Sequence, residues 1–211
     1  MLQERAHLAQ DTPSWLPSLP SFETTKASLE LIKLLNDPIY TGEEIPRGNG
    51  DPVLVVPGIW AINAHTKILE NWLTKINYFT FSVGKFDLMM NLGHNYDMLA
   101  VNKAVSEIAE RTKKKVTIIG HSMGGTLAFK VAHDHTRVKH VITIGTPIDT
   151  KEELSPKVRS THIYSANDPF FDPDLCKGRD PTSNFQVSGS HFGLVWNREV
   201  YRILGNILHE K

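Results

Sequence analysis

Residues 115–124 read Lys115-Val116-Thr117-Ile118-Ile119-Gly120-His121-Ser122-Met123-Gly124, and Thr126-Leu127-Ala128-Phe129-Lys130-Val131-Ala132 follow after Gly125. A β-branched apolar run, a serine framed by glycines two before and two after, and then a helical pattern form the nucleophile-elbow arrangement. The chain must turn sharply from strand to helix at Ser122. The glycines let the two backbones approach without side-chain collision, and the serine is forced into strained φ/ψ with Oγ standing clear at the sheet edge. This puts a hydroxyl at a helix N-terminus, where backbone N–H groups can receive developing negative charge. G-x-S-x-G alone is also compatible with a capped turn; the strand before it and the helix after it favour the nucleophile.

Outward from this turn, apolar runs alternate with helical patterns. Strands are predicted at 53–56, 78–83, 115–119, 140–144, 160–165 and 184–187, and helices at 24–36, 65–76, 96–110, 123–134 and 197–208. In the first helix Ala27, Leu31, Leu34 and Leu35 are expected on one side. Continuous apolar strands alternating with helices imply an α/β fold with a mostly parallel sheet of about six strands, covered by helices on both faces. In such sheets ligands bind beyond the carboxyl ends of the strands. Residues 1–45 are expected to be an N-terminal arm and helix packed on the body, with 46–211 as the main domain. The arm is proline-punctuated at Pro13, Pro17 and Pro20 and carries Trp15, Leu16, Leu19 and Phe22.

Composition narrows the function. The chain has 211 residues, 40% hydrophobic and 22% charged, which fits one domain with a sizeable core. Lys+Arg and Asp+Glu are both 23, so no charge excess points to nucleic acid or an anionic membrane. Cys176 is the only cysteine, so no internal disulfide can form. Neither a signal-peptide apolar core nor an eighteen-residue apolar run is seen, so a cytoplasmic protein without an integral membrane segment is expected. No zinc-spaced Cys/His cluster and no G-x-x-x-x-G-K loop occur, and neither metal nor cofactor is expected.

A serine nucleophile needs a base, and the base an orienting acid, in the chain order Ser, Asp/Glu, His. His133 and His135 fall at the far helix end, His140 and His162 on strands, and His209 in the tail. His191 lies in the small-residue loop Ser188-Gly189-Ser190-His191-Phe192-Gly193, between the last strand and the last helix, and is the candidate base. A capping role for it is the alternative. Asp168 is the first carboxylate after Ile163-Tyr164-Ser165-Ala166-Asn167 and is the candidate acid; Asp149, Asp172 and Asp174 remain alternatives, and any of them also suits an Asx turn. Oxyanion donors are expected from the backbone N–H of Met123 and, in Val55-Val56-Pro57-Gly58-Ile59-Trp60, from that of Ile59.

With these residues the chain resembles the α/β-hydrolase superfamily, in particular its small lipase- and esterase-like members. It is similar to minimal lidless bacterial lipases at Val55-Val56-Pro57-Gly58-Ile59, at Gly120-His121-Ser122-Met123-Gly124, and at Ile163 to Asp168 with His191-Phe192-Gly193-Leu194. It also resembles a group of bacterial α/β hydrolases in Arg47-Gly48-Asn49-Gly50-Asp51-Pro52 and Asn91-Leu92-Gly93. The resemblance spans roughly residues 46–208; Pro57 departs from it, standing where many esterases have histidine. It implies a single-domain α/β-hydrolase fold and a serine esterase or lipase acting through an acyl-enzyme on Ser122. The interval between the strands at 140–144 and 160–165 is too short for a large lid. Trp60 and Met90, with Leu88, Met89 and Leu92, are candidates for an acyl-binding surface or for core packing under a loop, and Phe170, Phe171 and Trp196 are candidates to wall the site. The expected substrate is a small-molecule ester or lipid. An acyltransferase on the same residues, or a catalytically silent binding module, are the competing readings; neither the acyl group nor the oligomeric state is specified.

Overall fold

The computed structural model of the chain describes residues 21–43, 45–58, 63–83, 98–149 and 154–210. Ile59, Trp60 and Met90 lie outside the described residues, as do residues 84–97 and the arm over 1–20.

Among the described residues six strands form one sheet: β1 (Pro52–Val56), β2 (Phe79–Ser82), β3 (Val116–His121), β4 (Val138–Ile144), β5 (Arg159–Ser165) and β6 (Asn184–Val187). Their spatial order is β2-β1-β3-β4-β5-β6, and every pairing is parallel. The α-helices among the described residues are α1 (Ser21–Leu35), α2 (Asn63–Lys75), α3 (Met98–Thr112), α4 (Met123–Asp134) and α5 (Arg198–His209).

Alternation along each strand splits the core in two. Val53 and Val55 of β1, Ile119 of β3 and Ile142 of β4 pack with Leu34 of α1, Trp72 of α2 and Tyr201 of α5. Leu54 and Val56 of β1, Ile118 of β3 and Val141 of β4 pack with Val105 of α3 and Phe129 of α4 on the opposite face. Every residue of β1 and β3 is buried, the expected composition of strands covered on both sides. The strand order reverses between β1 and β3, because β2 lies to one side of β1 and all later strands to the other. In open α/β sheets the crevice beyond the strands at such a switch point is the usual ligand site. Residues 145–158, which join β4 to β5, are too few for a lid domain.

The structure corrects the reading of α1. Its buried positions are Glu23, Ala27 and Leu34, with Glu30 half-buried on the same side, whereas Leu35 is exposed. The inward face thus carries two carboxylates, because α1 packs partly against the loop ahead of α5 rather than wholly against the sheet. Three short 3-10 turns, at Pro38–Tyr40, Pro173–Cys176 and Pro181–Ser183, start at Asp-Pro pairs whose aspartate accepts the backbone N–H two residues on. Asp37, the first of these aspartates, also pairs with Arg202 at 2.8 Å and Arg198 at 3.4 Å, pinning α5 to the segment after α1.

Candidate active site

Ser122 sits between β3 and α4 at φ 54° and ψ −134°. A non-glycine residue in that region is strained and persists only where its surroundings hold it. The Ser122 N–H donates to the carbonyl of Ile144 at 2.9 Å. Its own carbonyl accepts from the Gly125 N–H at 2.9 Å and from the Thr146 hydroxyl at 3.0 Å. Gly124 is needed for space, since a Cβ there would collide with the carbonyl oxygens of Val56 and Pro57.

The strand registers bring the other groups to the same edge. Val56 pairs with Gly120, His121 with Ile144, and Ser165 with Val187, so the residues after β1, β3, β4, β5 and β6 leave the sheet together. The Ser122 hydroxyl donates to His191 Nε2 at 3.0 Å, and His191 Nδ1–H donates to Asp168 Oδ2 at 2.7 Å. The carboxylate fixes that tautomer, because only a protonated Nδ1 can donate to it. The other Asp168 oxygen accepts the N–H groups of Phe170 at 2.8 Å and Phe171 at 3.3 Å. The side chains of His191 and Asp168 are each 1% exposed, which shields their interaction from water and strengthens it.

The alternatives to Asp168 are employed elsewhere. Asp172 caps the 3-10 turn at Pro173–Cys176, Asp174 pairs with Lys177 at 2.7 Å, and Asp149 is exposed beyond β4. His140 bonds to Thr161 at 2.9 Å and His162 to Thr143 at 2.9 Å, both inside the sheet.

Three groups holding the histidine loop went unforeseen. His121 Nε2–H donates to the carbonyl of His191 at 2.9 Å, and His65 Nε2–H to the carbonyl of Phe192 at 2.7 Å. Glu30 of α1 accepts from the Ser190 N–H at 3.0 Å and from the Ser190 hydroxyl at 2.8 Å. Burial, aided by the neighbouring His191, holds His121 well below the usual imidazole range, and burial lowers His65 as well. Both shifts favour the neutral form of these two rings. His121 carries the one signal available in sequence, its place beside the serine in G-x-S-x-G.

Met123 opens α4, where first-turn N–H groups have no helical acceptor. Gly58, the last described residue of the β1 loop, lies against the elbow: a Cβ there would stand 3.0 Å from Ser122 Cβ. Phe170 and Phe171 meet the His191 ring at centroid distances of 4.9 Å and 5.3 Å. Trp196 packs on His65 at 4.7 Å. Among the described residues no His/Cys/Asp/Glu group is arranged to hold a metal ion, and no helix is long and apolar enough to cross a membrane.

Fold and site edge together define an α/β-hydrolase fold. The chain belongs to the PGAP1-like alpha/beta domain family, whose sequence pattern matches residues 47–175. Solved structures share the architecture. The esterase domain of a Rhodothermus marinus protein superposes with a TM-score of 0.54 at 17% identity, over 78% of this chain and 88% of that one. An alpha/beta hydrolase enzyme from the sediment metagenome of the Mar Chica lagoon, Morocco, gives 0.52 at 13% identity, over 77% and 90%. A Thermus thermophilus protein gives 0.57 at 9% identity, over 79% and 92%. No curated protein matches the chain in sequence.

Proposed function

We propose that the protein is a serine hydrolase that cleaves carboxylic esters through an acyl-enzyme on Ser122. The observation that carries this reading is the continuous hydrogen-bonded line Ser122–His191–Asp168, at 3.0 Å and 2.7 Å, on the C-terminal edge of a parallel sheet. His191 Nε2 takes the hydroxyl proton as Ser122 Oγ bonds to the ester carbonyl carbon. Asp168 holds the tautomer and stabilises the imidazolium without taking the proton. His191 then returns the proton to the leaving alcohol, and water cleaves the acyl-enzyme by the same sequence in reverse roles. The Met123 and Ile59 N–H groups are the proposed oxyanion donors, each contributing about 2.7–4 kcal/mol to the barrier reduction. Trp60 and Met90 are the proposed acyl contacts.

The substrate class under this reading is a small-molecule ester or a lipid. A panel of p-nitrophenyl esters, lipids and lactones tests it. Turnover by wild type that disappears in Ser122→Ala is the expected result, and equal turnover by the two proteins rejects it. Partitioning of the acyl group to added alcohols in preference to water would instead identify an acyltransferase.

A further inference from the structure

The loop that carries His191 is made of poorly constrained residues. Ser188-Gly189-Ser190-His191-Phe192-Gly193 contains two glycines, and glycine has the most backbone freedom to lose on ordering. A general base, however, must be held within about 0.5 Å of its working position. The structure shows what orders the loop. Glu30 reaches from α1, and both its oxygens accept from Ser190, one from the N–H at 3.0 Å and one from the hydroxyl at 2.8 Å. The Gly193 N–H donates in turn to the Ser190 hydroxyl at 3.2 Å. A single carboxylate thereby ties residues 190 and 193, on either side of His191.

The glycines make the insertion possible. A Cβ on Gly193 would run into the Glu30 carboxylate, and one on Gly189 would stand 2.8 Å from Oε1. The loop therefore gives up backbone stiffness to admit the carboxylate and regains it through charge-assisted hydrogen bonds. His121 of β3 and His65 of α2 hold the carbonyls of His191 and Phe192. Glu30 supplies a further hold, at Ser190.

We propose that Glu30 is a positioning residue for His191, so that the helix preceding the matched family segment is part of the working site. The inference rests on the serine-hydrolase reading. Glu30 touches no reacting atom; it acts through the backbone of Ser190.

The test compares Glu30→Ala and Glu30→Gln in the full chain, well below their melting temperatures. Glutamine keeps an acceptor for the Ser190 N–H and a partner for its hydroxyl; alanine keeps neither. Two readouts are taken: the downfield proton resonance of the His191–Asp168 hydrogen bond, assigned by its loss in His191→Ala, and the rate at which a fluorophosphonate labels Ser122. Glu30→Ala is expected to broaden or lose the resonance and to label about ten- to a hundredfold more slowly, the cost of a misplaced catalytic group. Glu30→Gln is expected to retain the resonance and label near the wild-type rate. An unchanged resonance and labelling rate in folded Glu30→Ala overturn the proposal. If Glu30→Ala does not fold, Ser190→Ala, which removes one of the two donors, is read by the same criteria. Absence of labelling in wild type would reject the hydrolase reading instead, and the resonance would still decide on Glu30.

Discussion

At the scale of single residues, the candidate site brings together three side chains, each of which follows a different strand. Asp168 accepts from His191 through one oxygen and from two backbone N–H groups through the other. Asp168→Asn keeps the shape but offers an amide where a carboxylate held the Nδ1–H tautomer. In the proposed mechanism kcat falls about 10⁴-fold, measured on the best ester of the panel, with melting temperature little changed. A loss below tenfold would remove Asp168 from the proposed role. That Ser122, Asp168 and His191 would meet was legible, because each is the first suitable group after an apolar run. Glu30 and His65 were not, and His121 was marked only by its place beside the serine. A glutamate in a helix reads as solvent-facing, and no motif marks a histidine whose work is to donate to a carbonyl more than a hundred positions away, as His65 does to Phe192.

At the scale of elements, apolar periodicity was sufficient for the sheet. The strand read at 184–187 is β6, and that read at 140–144 begins two residues earlier, at Val138, where β4 continues as a buried strand despite Lys139. Helix α1 was harder, because its inward face serves a polar loop as well as the core, and a hydrophobic pattern cannot register carboxylates at Glu23 and Glu30 as buried positions. The 3-10 turns were missed although Asp-Pro announces each one. Asp37 shows what such a pair contributes: burial pushes its carboxyl up, but the Ile39 N–H and the Arg202 guanidinium outweigh that and the net shift is downward. Asp37→Ala removes a cap and frees α5 from the segment after α1. The expected cost is about 1–3 kcal/mol, read as a lowered denaturation midpoint, and an unchanged midpoint would show that the tether contributes nothing.

At the scale of the whole molecule, the parallel sheet divides the chain into two ends. Ser122, Asp168 and His191 share the carboxyl edge. The amino edge carries a surface cavity of about 490 Å³ lined by Arg47, Lys139, Lys157 and Arg159 with Asp51 and Glu210; its charges are largely paired, as in Lys139–Asp51 at 2.6 Å and Arg159–Glu210 at 3.1 Å. Buried histidines couple the fold to pH, His140 and His162 among them. Burial, with the charges of Arg159 and Lys139, pushes His140 down from 6.5 to about 3, and burial pushes His162 down to about 4. Unfolding lets both rings take up protons, so the stability they confer is complete above pH 6.5 and lost as pH falls toward their folded values. Each tenfold loss of proton affinity on folding corresponds to about 1.4 kcal/mol, so each ring accounts for on the order of a few kcal/mol. Melting temperature should therefore fall between pH 6.5 and 4, and less steeply in His140→Gln; parallel curves for the two proteins would contradict this origin.

The claim on which the rest depends is that Ser122 is a nucleophile activated by His191. Mapping a fluorophosphonate adduct by mass spectrometry tests it without knowledge of the substrate. The predicted result is a single adduct on Ser122 that forms in wild type and is suppressed in His191→Ala. No adduct on Ser122, or one that forms equally fast without His191, would contradict it.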